Sequence, residues 1–305
     1  MKMNGISDAE FIEGAFIQEG VSPVAGIIIA ACTIGDDYDN PKNRIGVRKQ
    51  DVWLEFGLSA EAILSVDAAT DGSAYVLGEN GSVVRFDWKS PTTREALKAS
   101  RKPFANAAVG NIGPLRRIRI LGDDVICAGS VGQVYRLLGD RFETLPKLSV
   151  GNQDVTIEDI AGSSRSDMVA VTSDGYAAHF DGTSWAVLDL PSNASLTSIC
   201  RLDNGHYAIA GKNGTVLIGV ADQWSIVQPI DTRRSYWGVA AYNDQIYAAH
   251  LAGVDKVAGQ TLIALDIEEA DLQFTVLRSS TEGVWSFAER TIGLIRDDQW
   301  QTIMK

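Results

Sequence analysis

The sequence predicts an all-β fold that is built from one repeated unit. Three segments of 13 residues, each ending in Trp, carry this prediction: SDGYAAHFDGTSW at 173–185, KNGTVLIGVADQW at 212–224 and AERTIGLIRDDQW at 288–300. Their Trp residues lie 39 and then 76 residues apart, and 76 is two periods of 38. A further copy is therefore expected between the last two, and YAAHLAGVDKVAGQTL at 247–262 fills that place with an aliphatic residue instead of Trp.

Small turns recur with a similar spacing. Gly-x-x-Gly turns occur at Gly78/Gly81, Gly129/Gly132 and Gly211/Gly214, and degenerate copies end at Gly175 and Gly253. The second glycines follow one another at intervals of 51, 43, 39 and 39 residues. Polar dipeptides such as Asn204-Gly205 and Asn243-Asp244 precede an apolar run in each unit. Such dipeptides favour the tight turns that join antiparallel strands.

One unit shows the internal order of the repeat. Its predicted strands are TSICRL at 197–202, HYAIA at 206–210, TVLIGV at 215–220 and WSIVQ at 224–228. Four short strands joined by hairpins are typical of a β-propeller blade. One twisted four-stranded sheet cannot cover both of its faces, whereas blades stacked radially bury one another. The sequence therefore predicts a single β-propeller over residues 1–305.

Reading the units in order gives six or seven blades, and we favour seven. An N-terminal unit at 11–58 has strands near Phe16–Glu19, Gly26–Ile34 and Val47–Phe56, and it is expected to complete the ring. The competing count is six blades closed by an N-terminal strand. The last unit is expected to be short, since the chain ends soon after Trp300. The predicted blades after the N-terminal unit span 61–100, 114–154, 155–196, 197–236, 237–273 and 274–305.

From residue 61 onward, the units resemble the bacterial β-propeller repeats of the BNR, YCF48-like and kelch-like group. Asp181–Trp185, DGTSW, is similar to the D-G-x-x-W tail that is common in those repeats. WD40 repeats are a poorer match, because no unit combines a Gly-His opening with a Trp-Asp close. The resemblance implies the fold and leaves the activity open.

Charge and cysteine content narrow the function classes. The chain has 305 residues and a net charge of −12, which is the wrong sign for a general nucleic-acid binder. Its three cysteines are too few and too widely spaced for a disulfide framework. The acidic N-terminus lacks the pattern of a secretory signal, and the apolar run at 24–34 is too short to span a bilayer. We expect a cytoplasmic protein that does not bind membranes and is monomeric when free.

The sequence contains no complete catalytic or metal-binding motif. Sialidases share this kind of fold, but their S-x-D-x-G-x-x-W box is absent, and no motif places three arginines together around one carboxylate. No His-Cys-Asp cluster has zinc spacing, and no Ser-His pair stands out. We therefore predict no cofactor, no metal and no catalytic residue.

Two acidic loops are candidates for partner contact. Asp36, Asp37, Tyr38 and Asp39 form the densest run of carboxylates. Calcium binding is the alternative, although the Gly and distal Glu of an EF-hand loop are absent. A solvated loop is the simplest interpretation. The acidic segment 266–271 has the same character.

The insert 89–114 and the junction 233–237 complete the candidate binding surface. The insert is locally basic around Arg101, contains Phe104, and is predicted to form a short helix at 92–102. Arg233, Tyr236 and Trp237 have the composition of an interface hot spot. We expect them to be exposed on the same rim as the insert, because long loops on one propeller face often bind partners.

The favoured hypothesis is a non-catalytic module that binds a protein. Small, acidic chains without catalytic motifs suit a bacterial immunity or accessory protein that blocks a basic toxin, with the acidic loops steering the encounter. One alternative is a propeller-type enzyme, such as a hydrolase, a lyase or a metal-dependent lactonase. The other alternative is a structural scaffold in a larger assembly.

Overall fold

The structure is a computed structural model that describes residues 5–35, 41–59, 61–104, 112–228, 231, 233–267 and 273–305. Tight turns divide these residues into short antiparallel strands. At Asn243-Asp244 both residues have positive φ, 48° and 62°, which is the turn backbone that matches the twist of a hairpin. Gln50-Asp51 adopts the same conformation without a glycine, and it splits the predicted strand at 47–56 into two strands.

The strands form seven four-stranded sheets, each in sequential order. This confirms the favoured seven-bladed propeller. Blades 1 to 4 contain β1–β4 (Ala15–Val21, Ile27–Ile34, Lys42–Lys49, Val52–Ser59), β5–β8 (Ile63–Ala68, Ser73–Gly78, Val83–Asp87, Lys102–Pro103), β9–β12 (Leu115–Leu121, Asp124–Gly129, Val134–Leu138, Arg141–Thr144) and β15–β18 (Ile157–Ser164, Asp167–Thr172, Ala177–Phe180, Trp185–Val187). A small hairpin, β13–β14 (Ser149–Val150, Gln153–Asp154), separates blades 3 and 4.

Blades 5 to 7 follow the same pattern. They contain β19–β22 (Leu196–Arg201, Tyr207–Gly211, Val216–Val220, Gln223–Ile226), β23–β26 (Tyr236–Tyr242, Gln245–His250, Gly253–Ala258, Thr261–Ala264) and β27–β30 (Phe274–Ser279, Val284–Ala288, Ile292–Arg296, Gln299–Met304). The expectation of a short last unit was wrong, because Gln299–Met304 is a complete fourth strand that pairs with β29.

The insert lies within blade 2, between its third and fourth strands, and not after the blade as predicted. It holds a short helix, α2 (Arg94–Ala99), which is capped by the Thr93 side chain and followed by the fourth strand of blade 2. The predicted end of this blade at residue 100 therefore omitted its outer strand. A second short helix, α1 (Asp8–Ile12), precedes blade 1 and stacks Phe11 on Trp53 with ring centroids 3.7 Å apart.

Apolar side chains fill each junction between consecutive blades. The buried residues of the described chain divide into seven clusters, and each cluster draws on two neighbouring blades. Between blades 4 and 5, for example, Val171 packs with Leu196 and Ile209. Burial of apolar surface at each junction therefore holds the ring together.

Blade 7 meets blade 1 without exchanging a strand. The Ile17 amide donates to the Glu289 carbonyl at 2.8 Å, and the Gly26 amide donates to the Glu282 carboxylate at 2.9 Å. Phe287 lies so close to Gly20 that a Cβ atom there would overlap its ring. Packing and hydrogen bonds thus close the ring, and the competing six-bladed arrangement with an exchanged strand is not the one observed.

The antiparallel order of the strands assigns each connection to one face of the ring. The connection from the second to the third strand of a blade, and the connection from its fourth strand to the first strand of the next blade, lie on one face, which we call the crossover face. The connections from the first to the second strand and from the third to the fourth strand lie on the other face, which we call the hairpin face. The crossover before Tyr236 and the helix α2 therefore lie on opposite faces, so the expectation that Arg101 shares a rim with Arg233 and Trp237 was wrong.

Helix length and cysteine burial bear on the predicted environment of the chain. Neither helix within the described ranges has the length and apolar character that crossing a bilayer requires.

Cys32, Cys127 and Cys200 are free thiols. Burial raises the pKa of Cys32 and of Cys200 to about 12 and raises that of Cys127 further, which disfavours the reactive thiolate.

Candidate protein-binding site

The first strands of the blades line a central channel that contains paired charges. Glu19 of blade 1 accepts from Arg278 of blade 7 through Nη2 at 2.8 Å and Nε at 3.2 Å. Asp159 of blade 4 pairs with Arg119 of blade 3 at 2.8 Å. Arg117 lies between the two carboxylates, 3.5 Å from Glu19 and 3.7 Å from Asp159. The network joins strands that are far apart in sequence.

Smaller groups extend this network to the other blades. Ser65 of blade 2 accepts from Arg119 Nη1 at 3.1 Å. Asp67 of the same strand accepts the Ile120 amide at 2.8 Å. Ser198 of blade 5 donates to Asp159 at 3.3 Å, and its hydroxyl oxygen accepts the Val239 amide of blade 6 at 3.3 Å. Each of the seven blades thus contributes a group to one connected set of polar contacts. Such a set fixes the relative positions of the inner strands.

The pKa shifts in the channel follow from burial and from these neighbours. Burial raises the pKa of Asp159, but Arg119, Arg117 and Arg278 outweigh it and hold the pKa below its ordinary value of 3.8. Burial lowers the pKa of Arg119 to about 10, helped by the nearby Arg278. The pKa of Asp67 is raised, because burial outweighs the attraction of Arg278 and Arg119.

The channel brings together three arginines that sequence analysis did not group. Arg117 and Arg119 share one strand, whereas Arg278 lies in the last blade and belongs to no local motif. A signal for Arg278 was available in the segment FTVLRS at 274–279, where apolar residues alternate with others. Arg278 occupies a position at which this alternation predicts an apolar residue on an inner strand. All three guanidinium groups pair with carboxylates of the protein itself, unlike arginines that clamp a ligand carboxylate.

Cavities open along the channel at both ends. One of about 230 Å³ extends from Trp237 past Arg119 and Arg278. A wider one of about 630 Å³ lies at the hairpin face between the first-to-second connections, near Asp203 and Asp244. Trp237 is 37% exposed, so its indole forms part of the surface where the channel meets the crossover face.

A largely buried polar cluster lies next to Trp237 in the sequence. Asp255 accepts from Arg234 Nη1 at 2.8 Å and from the Tyr236 hydroxyl at 2.5 Å, and His250 Nε2 lies 3.5 Å away. Tyr236 is fully buried, so the expectation that it is exposed was wrong. Consecutive residues of a strand point to opposite sides, and Trp237 rather than Tyr236 faces the channel.

Among the other predicted contact residues that the structure describes, Arg233 alone is highly exposed, with 90% of its side chain accessible beside Asp231. Arg101 lies over the Phe56 ring at 5.2 Å and donates to the Gly57 carbonyl, so it attaches α2 to blade 1. Phe104 is half-buried between blades 2 and 3. Asp36, Asp37, Tyr38 and Asp39 lie outside the described residues.

The predicted residues therefore do not form one continuous surface. Arg233 and Trp237 come from the same crossover, while Arg101 lies on the hairpin face and Phe104 lies at a distant blade. In the described ranges, no group of three or more His, Cys, Asp or Glu side chains is arranged to hold a metal ion. The exposed indole of Trp237 makes the crossover face around it a candidate surface for a partner, because exposed aromatic side chains often anchor protein interfaces.

Comparison with known proteins agrees with the propeller fold and finds one relative that is named as an immune protein. No family model matches the chain. Over 207 residues it is 28% identical to the Immune protein Tsi7 of Pseudomonas aeruginosa, which covers 66% of this chain and 68% of that protein. The match spans about two thirds of both proteins.

Solved structures resemble the whole ring. YCF48 bound to D1 peptide gives a TM-score of 0.66 at 16% identity, covering 90% of this chain and 89% of that one. The WD40 β-propeller domain of Doa1 gives a TM-score of 0.67 at 11% identity, covering 94% and 92%. These neighbours confirm the predicted fold-level resemblance: the chain is a seven-bladed propeller of four-stranded blades, similar in fold to YCF48.

Proposed function

We propose that this protein is an immunity-type protein, which binds a toxic protein partner and blocks it. The observation that carries the proposal is the similarity to the Immune protein Tsi7 over 66% of the chain. A match of this extent covers several blades rather than one repeat. It therefore relates the two proteins beyond the periodicity that all propellers share.

The channel contacts support recognition by a rigid surface. Interlocked charges such as Glu19–Arg278 and Arg119–Asp159 fix the inner strands relative to one another, so the ends of these strands are held in defined positions. A preorganised surface loses little conformational entropy on binding, which favours high affinity. Since the channel arginines are already paired, the exposed loops are the groups left to contact a partner.

Charge indicates the chemistry of that partner. The net charge of −12 favours association with a basic protein and speeds the encounter at low ionic strength. We extend the proposal to a cytoplasmic site of action, in keeping with three free thiols, and to a monomer that forms a one-to-one complex.

Partner capture followed by a growth assay tests the proposal. The tagged protein is incubated with lysate of its source organism, and captured proteins are identified by mass spectrometry. Each captured protein is then expressed in a bacterial host, alone or together with this chain. We expect one captured protein to arrest growth alone and to lose toxicity on co-expression. A captured partner that is harmless alone, or whose toxicity this chain leaves unchanged, would contradict the proposal.

A further inference from the structure

The outer edge of blade 1 is built differently from the outer edges of the other blades. The fourth strand of each blade has one free edge, which offers unpaired N–H and C=O groups to a strand of another chain. In blade 1 this outer strand, β4, has eight residues, whereas the other outer strands of the described chain have two to six. A long free edge is the kind that pairs with a second copy of a protein.

The other outer strands carry features that discourage such pairing. Those of blades 4, 5 and 6 have only three or four residues, and that of blade 3 is equally short and charged. The outer strand of blade 2 is Lys102–Pro103, and β30 of blade 7 has a register shift against its neighbour. Within Val52–Ser59, by contrast, β4 has no lysine, no proline and no register shift. Its single charge, Glu55, is neutralised by Arg44 at 2.9 Å and Arg94 at 2.6 Å.

The N-terminal segment 5–12 covers the first half of this edge. Ile6 pairs with Trp53 through two backbone hydrogen bonds, one of 2.9 Å from the Ile6 amide and one of 2.8 Å from the Trp53 amide. Asp8 fixes the segment, because its carboxylate accepts from Arg48 Nε at 2.7 Å and from the Trp53 indole at 2.7 Å. The segment therefore occupies the position that an additional strand would take.

The insert of blade 2 covers the second half of the edge. Alternate residues of an antiparallel edge strand direct their backbone groups outward, so Glu55 and Gly57 face the free edge as Trp53 does. The Arg101 guanidinium donates to the Gly57 carbonyl at 3.3 Å, and Arg94 of α2 donates to the Glu55 carboxylate at 2.6 Å. Helix α2 thus lies beside the part of β4 that is beyond the N-terminal segment.

From this arrangement we infer that the N-terminal segment and the insert are edge covers, and that the uncovered edge of β4 is a self-association surface. Its occupant is the β4 strand of a second copy of this chain, because two identical strands that pair antiparallel are related by a closed two-fold axis. The two covers hold the chain in its monomeric state. The inference goes beyond the proposed function and does not depend on it.

Uncovering the edge by substitution tests the inference in the full-length protein. In Gly5→Ala, the added methyl group overlaps the Trp53 carbonyl oxygen, so it displaces the N-terminal segment without removing a charge. Hydrogen–deuterium exchange of the Trp53 amide should then be about fivefold faster, as expected for the loss of one hydrogen bond. In the Gly5→Ala/Arg101→Ala variant, the mass measured by sedimentation velocity should rise from one chain to two with increasing concentration, whereas wild type stays monomeric.

Two substitutions on β4 itself separate edge pairing from general damage. Gly57→Ala adds the same methyl group at an ordinary contact distance, so it should leave exchange and mass unchanged. Adding Gly57→Lys to the Gly5→Ala/Arg101→Ala variant places a charge on the uncovered edge and should restore the monomer, because charged side chains oppose edge pairing. Circular dichroism and thermal unfolding verify that each variant is folded. If the Gly5→Ala/Arg101→Ala variant does not fold, Gly5→Ala alone takes its place in the same comparison.

Three results would overturn the inference. One is an unchanged exchange rate of the Trp53 amide in Gly5→Ala. Another is a folded, uncovered variant that stays monomeric at every concentration. The third is self-association that Gly57→Lys does not reverse, since a surface other than the edge of β4 would then cause it. The growth assay measures neutralisation of the toxic partner by wild type, so its outcome is separate from all three.

Discussion

Removing Arg278 should weaken the junction at which the ring closes. In the Arg278→Met variant, Glu19 loses the two N–H donors that lie 2.8 and 3.2 Å from its Oε1 atom. Its remaining side-chain partners are longer contacts, Arg117 at 3.5 Å and Ser65 at 3.4 Å. The Glu19 side chain is only 2% exposed, so solvent compensates for the lost donors only in part.

The expected loss follows from leaving a buried charge without its partner. Breaking such a pair from one side costs about 3–5 kcal/mol of unfolding free energy. Adding Glu19→Gln to Arg278→Met removes the unpaired charge and should recover about 1–3 kcal/mol of that loss, which is the coupling between the two positions. Arg233→Met is the matched control, because this arginine is 90% exposed and its partner among the described residues is Asp231 at the surface.

Urea unfolding at neutral pH, followed by tryptophan fluorescence, measures these differences. We expect a large shift of the midpoint for Arg278→Met, partial recovery in the double variant and no measurable change for Arg233→Met. If Arg278→Met were as stable as Arg233→Met, or if Glu19→Gln only added to the loss, the channel charges would not hold the ring closed.

Three further predictions concern packing and charge. Gly20→Ala should cost about 1–3 kcal/mol by forcing Phe287 aside. At Gly57 a Cβ atom would lie at an ordinary contact distance of 3.8 Å from the Asn43 carbonyl oxygen, so Gly57→Ala should be neutral in the same urea assay. The pKa of Asp159 is depressed in the folded state, so its contribution is present above its ordinary pKa of 3.8 and is lost as pH falls through the folded value. In the Asp159→Asn variant, the urea midpoint should therefore fall less steeply than in wild type as the pH is lowered into the acid range. An unchanged pH dependence of the midpoint would contradict this. Tyr236→Phe should lower stability by about 1–3 kcal/mol through the lost bond to a carboxylate, yet leave partner affinity unchanged because this side chain is buried.

The repeat made most of the fold predictable. Period, turn dipeptides and strand alternation are local features, and they identified the propeller and its favoured seven blades. The errors arose where a local signal was weak: the turn at Gln50-Asp51 has no glycine, and α2 separates the short outer strand of blade 2 from the rest of its sheet. A strand of two residues, Lys102–Pro103, has no detectable pattern of its own.

The candidate site was much less predictable, because closure of the ring creates it. Glu19 and Arg278 are 259 residues apart in sequence and meet only where the last blade packs against the first. The exposure of Tyr236 and Trp237 depends on which residue of the pair faces the channel, and composition does not determine this. Sequence analysis expected both residues to be exposed, whereas Trp237 is 37% exposed and Tyr236 is buried; that either contacts a partner stays a prediction.

The most direct test of the central claim is the growth of cells that express the captured partner together with this chain. The account predicts that wild type restores growth and that the folded Trp237→Ala variant restores it less well at equal expression. The account would be contradicted if the captured partner arrested growth equally with and without the wild-type chain.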